Sequence, residues 1–141
     1  MIFHSWDERK AFLVNLQDRL TEKFGTERYN VFVFGSFVTD LYVPGKSDLD
    51  LAVYAESAKF ARMVYNFLDD YLQELDVERS IIIIDTEQKY AFISLDALQM
   101  RIGFTDYFPE DLEIYELQLM RRFIWYNEEK NMLQKKFPVH W

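Results

Sequence analysis

The chain has 141 residues and a formal net charge of −8, half of its residues are hydrophobic, and it contains no cysteine. This length predicts one domain, residues 1–141, with a core of its own. The composition excludes disulfides and thiolate metal sites, the acidic charge argues against a surface that binds duplex nucleic acid, and no apolar run approaches the ~20 residues of a membrane span. The N-terminus also lacks the pattern of a signal peptide, so we expect a cytoplasmic protein with no membrane partner.

The first third of the chain predicts a helix followed by a strand and a tight turn. Ser5 and Glu8 have the spacing of a capping box, which predicts a helix that begins after Ser5 and ends at Gly25. An apolar strand is predicted at residues 30–34, and Gly35-Ser36 follows it as a turn. Residues 38–42 are predicted to form a short helix.

The middle of the chain predicts a strand, a helix and a second strand. A strand is expected at residues 48–54, and a helix with one apolar face at residues 56–75. Four consecutive isoleucines, residues 81–84, leave no polar side on the next strand, which is predicted at residues 80–85. We therefore expect that strand to be buried on both faces.

The last third of the chain is harder to interpret. Residues 87–101 fit a helix, although residues 90–95 also fit a strand, and periodicity alone does not decide between them. We favour the helix. Pro109 suits the first turn of a long C-terminal helix. The predicted fold class is α/β, a small mixed sheet with helices packed on it and a long C-terminal helix.

Two aspartates spaced i, i+2 are the most informative residues for function. Asp48 and Asp50 open a predicted strand shortly after the Gly35-Ser36 turn. Alternate residues of a strand point to the same side, so the two carboxylates would project together, about 6–7 Å apart along the backbone. Two same-side anions repel each other unless a cation lies between them. Magnesium, which prefers carboxylate oxygens, is the simplest such cation.

These residues carry a resemblance to a known superfamily. Gly35-Ser36, a short spacer, and Ser47-Asp48-Leu49-Asp50-Leu51 resemble the signature of the DNA polymerase β-like nucleotidyltransferases, and the small size resembles their minimal nucleotidyltransferase (MNT) branch. The segment is also similar to the much larger noncanonical poly(A) polymerases. The resemblance implies a nucleotidyltransferase fold, two Mg²⁺ ions held by Asp48 and Asp50, and transfer of a nucleoside monophosphate from a nucleoside triphosphate.

The same resemblance implies which residues contact the nucleotide. Gly35 and Ser36 would lie against the phosphates, because a glycine lets the backbone approach and a hydroxyl supplies a donor. Ser47 belongs to the same motif, and Lys46 beside it is a candidate phosphate ligand as a point charge.

The superfamily pattern also includes a third carboxylate, which binds one metal ion and accepts a proton from the attacking hydroxyl. This sequence departs from the pattern there. The acid that we predict for this catalytic and metal-binding role is Asp85, at the end of the isoleucine strand. The other positions that the alternative registers or nearby acids offer are Ser80, Ile82, Phe92, Asp76 and Glu78.

The MNT resemblance further implies a partner. Proteins of that branch commonly pair with a HEPN-type RNase toxin, which implies an antitoxin that transfers a nucleotide, with ATP as the expected donor, to a protein hydroxyl. Two alternatives remain open at this point: a catalytically degenerate nucleotidyltransferase fold that neutralises a partner by binding it, and a transferase that acts on an RNA 3′ end.

Overall fold

The computed structural model describes residues 1–38, 41–84, 90–92, 113–115 and 124–125. In chain order, its elements are helix α1 (Trp6–Phe24), strand β1 (Tyr29–Phe34), a 3₁₀ helix (Gly35–Val38), strand β2 (Leu49–Ala55), helix α2 (Ala58–Glu74), strand β3 (Arg79–Ile83), and strands β4 (Tyr90–Phe92), β5 (Glu113–Tyr115) and β6 (Ile124–Trp125). Among the described residues, neither helix is long and apolar enough to cross a membrane.

The two helices begin and end at residues that satisfy their terminal backbone groups. The Ser5 hydroxyl accepts a hydrogen bond from the Glu8 N–H at 3.1 Å, which confirms the predicted start of α1. Gly25, with a φ of 76°, ends α1, and its N–H bonds to the Thr21 carbonyl. The start of α2 is capped in the same way as α1, by the Ser57 hydroxyl.

The first sheet is mixed, as the sequence predicts, with strand order β1-β2-β3. β1 and β2 are antiparallel, whereas β2 and β3 are parallel, and α2 is the crossover connection that a parallel pair requires. The register pairs Asp50 with Phe34 on one side and with Ser80 on the other. Asp50 is therefore flanked by both neighbouring strands at one end of the sheet.

Both helices pack on the same face of this sheet. The core cluster joins the apolar stripe of α1, the inward residues of the strands and the apolar face of α2. Leu49, Leu51 and Val53 of β2 belong to this cluster, and side chains alternate along a strand, so Asp50 lies on the face away from the helices. Core members from the helices and neighbouring strands include Leu13, Leu16, Leu20, Val31, Val33, Val64, Leu68 and Leu72.

The prediction that the isoleucine strand is buried on both faces is wrong for β3. Ile82 is 38% exposed, while Ile81 and Ile83 on the alternate positions are partly buried against the core. Among the described strands of this sheet β3 is at the edge, so it receives less cover than the central strand β2. Four identical apolar side chains carry no information about strand order.

Of the short helix predicted at residues 38–42, only residue 38 is helical among the described residues, and residues 39–40 lie outside them. The helical turn begins at Gly35 and ends at Val38, directly after β1. The tight turn and the short helix of the prediction are thus one element, because Gly35 allows the chain to enter the turn with a φ of 75°. Ser36 lies within this turn rather than before it.

In the last third of the chain, three short strands lie where the sequence favours helices. Residues 90–92 form β4, so the strand alternative is right there, and β5 and β6 fall inside the predicted long C-terminal helix. The remaining residues of both predicted helices lie outside the described residues. β4 pairs parallel with β5, and β5 pairs antiparallel with β6. These pairings join residues far apart in sequence, which a local periodicity does not reveal.

Candidate active site

The Gly35-Ser36 turn lies directly against the carboxylate of Asp50. A Cβ placed on Gly35 would overlap Oδ2 of Asp50 and would lie 3.2 Å from its Cγ. The positive φ of 75° independently favours glycine. Two separate constraints therefore require glycine here, and the fold brings the two halves of the sequence motif into contact.

Asp50 is a half-buried carboxylate beside a second carboxylate. It is the second residue of β2, and exposed Asp48 immediately precedes that strand. Burial and, to a smaller extent, the charge of Asp48 raise the pKa of Asp50 from 3.8 to about 6. The fold therefore places a negative charge where it is poorly solvated and repelled by its neighbour.

This donor set fits a hard divalent cation. Mg²⁺ is commonly bound by one or two carboxylates together with substrate phosphates, and a cation beside Asp48 and Asp50 would offset both the burial and the like-charge repulsion. Within the described ranges, no group of three or more acidic, histidine or cysteine side chains is placed to hold a metal ion. Asp48 and Asp50 would therefore hold magnesium as a pair, with substrate phosphates as further ligands.

The register of β2 and β3 decides which residue lies beside Asp50. Ser80 is its direct partner on β3, whereas Ile82 pairs with Ala52, one step further along the same face. Neither position carries an acid. Asp76 and Glu78 are exposed residues before β3, and Asp76 interacts with the chain's N-terminal amine.

The predicted third acid, Asp85, lies outside the described residues, so its role stays a prediction. Ile84, the residue before it, donates its backbone N–H to the Val53 carbonyl. Phe92, the position offered by the register of the poly(A) polymerases, belongs to β4 of the second sheet.

The loop before Asp48 is closed by its own hydrogen bonds. The Ser47 hydroxyl accepts from the Val43 N–H at 2.9 Å. The backbone N–H groups of Lys46 and Ser47 donate to the Val43 carbonyl. We call residues 43–47 the pre-Asp48 loop. Lys46 is exposed on this loop, where its ammonium is accessible to a phosphate, whereas the Ser47 hydroxyl already holds the loop closed.

Arg9 lies beside the candidate site, and the sequence motif does not include it. Its side chain is buried, with 6% exposure, and it donates a hydrogen bond to the Phe37 carbonyl in the 3₁₀ helix that contains Ser36. A signal was present in the sequence. Arg9 continues the apolar stripe of α1 at helical spacing from Leu13 and Leu16, a position at which an arginine is unusual.

The raised pKa of Asp50 predicts a pH dependence of stability in metal-free buffer. Between about pH 4 and 6 the folded protein keeps the Asp50 proton that the unfolded chain has released, so this group's contribution to the free energy of unfolding falls as pH rises. Because Asp50 is only partly buried, solvent screens the effect and we expect a loss of only ~1–2 kcal/mol. Urea unfolding with EDTA at pH 4, 5, 6 and 7 measures it.

Comparing the parent with Asp50→Asn separates the contribution of Asp50 to the free energy of unfolding from the contributions of the other acids. The stability of the variant relative to the parent should rise between pH 4 and 7, since asparagine does not titrate. The control Asp18→Asn removes one exposed carboxylate on α1 and should leave the difference near zero across the range. A parallel pH profile for the parent and Asp50→Asn would contradict the assigned cause.

The geometry of the turn and the two aspartates agrees with what the comparisons with known proteins show. The family model described as "Nucleotidyltransferase domain" matches residues 13–130, well over half of the chain, and this stretch includes Gly35, Ser36, Asp48 and Asp50. No curated protein and no solved structure gives a significant match. The chain belongs to the nucleotidyltransferase domain family.

Proposed function

We propose that this protein transfers a nucleoside monophosphate from a nucleoside triphosphate, with ATP as the donor, to a protein hydroxyl. We further propose that the acceptor is a HEPN-type toxin and that the chain acts as its antitoxin. The observation that carries the transfer reaction is the contact between the Gly35 turn and Asp50, next to Asp48. This contact supports the proposal, because it brings the turn that we propose for phosphate binding next to the carboxylates that we propose for metal binding.

In this reaction the acceptor hydroxyl attacks the α-phosphorus and a new P–O bond forms to the acceptor. Pyrophosphate leaves with the electrons of the broken bond, and the hydroxyl proton passes to the third acid, for which the sequence predicts Asp85. Mg²⁺, when bound, would neutralise charge on the phosphates. The chain's own residues hold the reactants. Asp48 and Asp50 bind the cation, Gly35 lets the backbone approach the phosphates, and Ser36 and Lys46 supply donors.

The net charge of −8 favours a protein acceptor over a long nucleic acid. A polynucleotide track requires several basic side chains that neutralise successive phosphates. A single triphosphate requires only the cation and one or two local donors. A short RNA 3′ end remains compatible with the same site chemistry.

A second candidate function is nucleotide or partner binding without turnover. The observation that favours it is Ser80, which occupies the place on β3 beside Asp50 where a further carboxylate would complete the metal site. A serine hydroxyl is a weaker cation ligand than a carboxylate and does not readily accept a proton at neutral pH. Such a protein would hold Mg-nucleotide and bind its partner, yet turn over slowly.

The test of transfer uses α-labelled ATP, magnesium, the purified chain and a HEPN-type toxin. We expect label on the toxin that survives RNase but not protease, none with Asp50→Asn, and parent-like labelling with Asp18→Asn. Label that RNase removes would instead establish the RNA 3′ end as acceptor.

Absence of label on every acceptor, with Mg-ATP binding intact, would establish the binding function. In that case Ser80→Asp distinguishes a decayed metal site from a different mechanism. The substitution places a third carboxylate beside Asp50, and we expect it to produce label on the acceptor where the parent gives none. Ser80→Asn, of similar size but without the charge, is the matched control and should not produce label.

A further inference from the structure

One buried side chain contacts the turn of the proposed nucleotide site and the residue that immediately precedes the pre-Asp48 loop. Arg9 Nη1 donates to the Phe37 carbonyl at 2.5 Å, and Nε donates to the Ser5 carbonyl at 3.4 Å. Phe37 directly follows Ser36 in the 3₁₀ helix. The guanidinium is therefore bonded to the backbone of the turn that faces the phosphates in the proposed function.

The face of the same guanidinium lies over Tyr42. Arg9 Cζ is 4.5 Å from the Tyr42 ring centroid, within cation–π range, and 5.4 Å from that of Trp6. The Tyr42 ring also meets the Phe37 ring edge-on at 5.6 Å. Tyr42 is the residue immediately before the pre-Asp48 loop, so Arg9 contacts the entrance of this loop as well as the turn.

This combination of contacts requires an arginine. A planar guanidinium can stack its face on an aromatic ring while its edge donates hydrogen bonds to carbonyls. A lysine ammonium at the same position would keep the charge but would lose either the stacking or the second hydrogen bond. The 6% exposure of Arg9 means that both contacts lie away from water, where they contribute more than on the surface.

We propose that Arg9 is a positioning residue for nucleotide binding, which fixes the Ser36 turn relative to the pre-Asp48 loop. The expected effect of Arg9 on nucleotide affinity rests on the proposed function. Its expected effect on the stability of the pre-Asp48 loop does not. Arg9 precedes residues 13–130, so it lies outside the stretch that matches the nucleotidyltransferase domain family. In this chain, the residue that holds the Ser36 turn in place thus comes from α1 and not from the two motif segments.

The first measurement is local amide exchange by NMR in Arg9→Lys and Arg9→Ala. The N–H groups of Lys46 and Ser47, which bond to the Val43 carbonyl, should exchange about tenfold faster, whereas amides in the centre of β2 should keep parent rates. Arg9→Lys is included because Arg9→Ala leaves a cavity and can lower global stability. The matched control is Arg19→Lys, an exposed α1 arginine 3.5 Å from Glu22, which should change neither group of amides.

The second measurement is Mg-ATP affinity by calorimetry. We expect both Arg9 variants to bind about tenfold more weakly than the parent, and Arg9→Ala to regain affinity with millimolar methylguanidinium but not with methylammonium at equal ionic strength. A purely structural role would not show this ligand-selective rescue. In transfer assays the loss should appear mainly in KM, since Arg9 is not in contact with reacting atoms.

The outcomes of these measurements distinguish a failure of the positioning role of Arg9 from a failure of the proposed function. Unchanged loop exchange in both variants, or a uniform rise across the sheet, would overturn the positioning role whatever the nucleotide result. Parent-like Mg-ATP affinity in both variants would overturn it too. If the parent itself fails to bind Mg-ATP, the proposed function is wrong, and the exchange data alone then decide whether Arg9 positions the loop.

Discussion

Replacing both Asp48 and Asp50 by asparagine is expected to abolish the stabilisation that Mg-ATP gives the parent. A ligand at 100 times its dissociation constant raises the free energy of unfolding by about 2.7 kcal/mol, and the double variant should gain close to none of it. The double variant removes both carboxylates that we propose as the cation ligands. Urea or thermal unfolding with and without Mg-ATP measures the difference.

The nucleotide-free double variant should be at least as stable as the parent at pH 7. Burial and the charge of Asp48 disfavour the ionised form of Asp50, and asparagine removes both effects. The matched control is Asp18→Asn/Asp70→Asn, which removes two exposed helix carboxylates and should keep the full Mg-ATP effect. Parent-like Mg-ATP stabilisation of the Asp48/Asp50 variant would show that the metal site is elsewhere.

Gly35→Ala should destabilise the folded protein by more than about 2 kcal/mol. A non-glycine residue at a φ of 75° costs on the order of 1 kcal/mol, and the added Cβ would also overlap Oδ2 of Asp50. Either Asp50 must move away from its present position or the turn must shift. Equilibrium urea unfolding measures the loss, and Mg-ATP binding should fall with it, because both responses disturb the site.

Gly25→Ala measures a backbone cost without a steric overlap. Gly25 has a φ of 76° and a ψ of −155°, a conformation that only glycine readily adopts, and nothing lies within 4 Å of a Cβ placed there. In a double-mutant cycle, Asp50→Ala should recover much of the extra loss at Gly35, since it removes the overlapping carboxylate. If Asp50→Ala recovers none of the loss at Gly35, the contact between the turn and Asp50 is contradicted.

Much of the first 84 residues could be predicted because the information there is local. The capping serine of α1, the glycine that ends it and the apolar face of α2 each act within a few residues, and the structure confirms both helices and all three strands of the first sheet. The short helix after β1 begins at Gly35, three residues before the predicted start at residue 38. Gly35 was interpreted only as a turn residue, whereas it also starts the helical turn.

The C-terminal third shows where local patterns fail. Aromatic and β-branched residues such as Tyr90, Ile114 and Trp125 are compatible with an apolar helix face, yet they lie in β4, β5 and β6. A strand is stabilised by partners that lie elsewhere in the chain. Twenty residues separate the end of β4 from the start of β5, and no window of sequence contains both.

For the candidate site, the sequence by itself was enough to predict the chemistry. The order of Gly35-Ser36, Asp48 and Asp50 indicated a phosphate-binding turn followed by a pair of carboxylates, because residue type and spacing are enough to specify donors and charge. Membership of the nucleotidyltransferase domain family confirms the superfamily that these residues indicated, while the role of each residue stays a prediction.

Only the tertiary structure decided how these groups meet. It placed the Asp50 carboxylate against Gly35, brought Ser80 rather than an acid beside Asp50, and buried Arg9 between the Ser36 turn and Tyr42. The physical reason is that strand register and helix docking depend on how the whole core packs, and a shift of one residue would move every side chain of a strand to the other face. Residue spacing along the chain contains no such information.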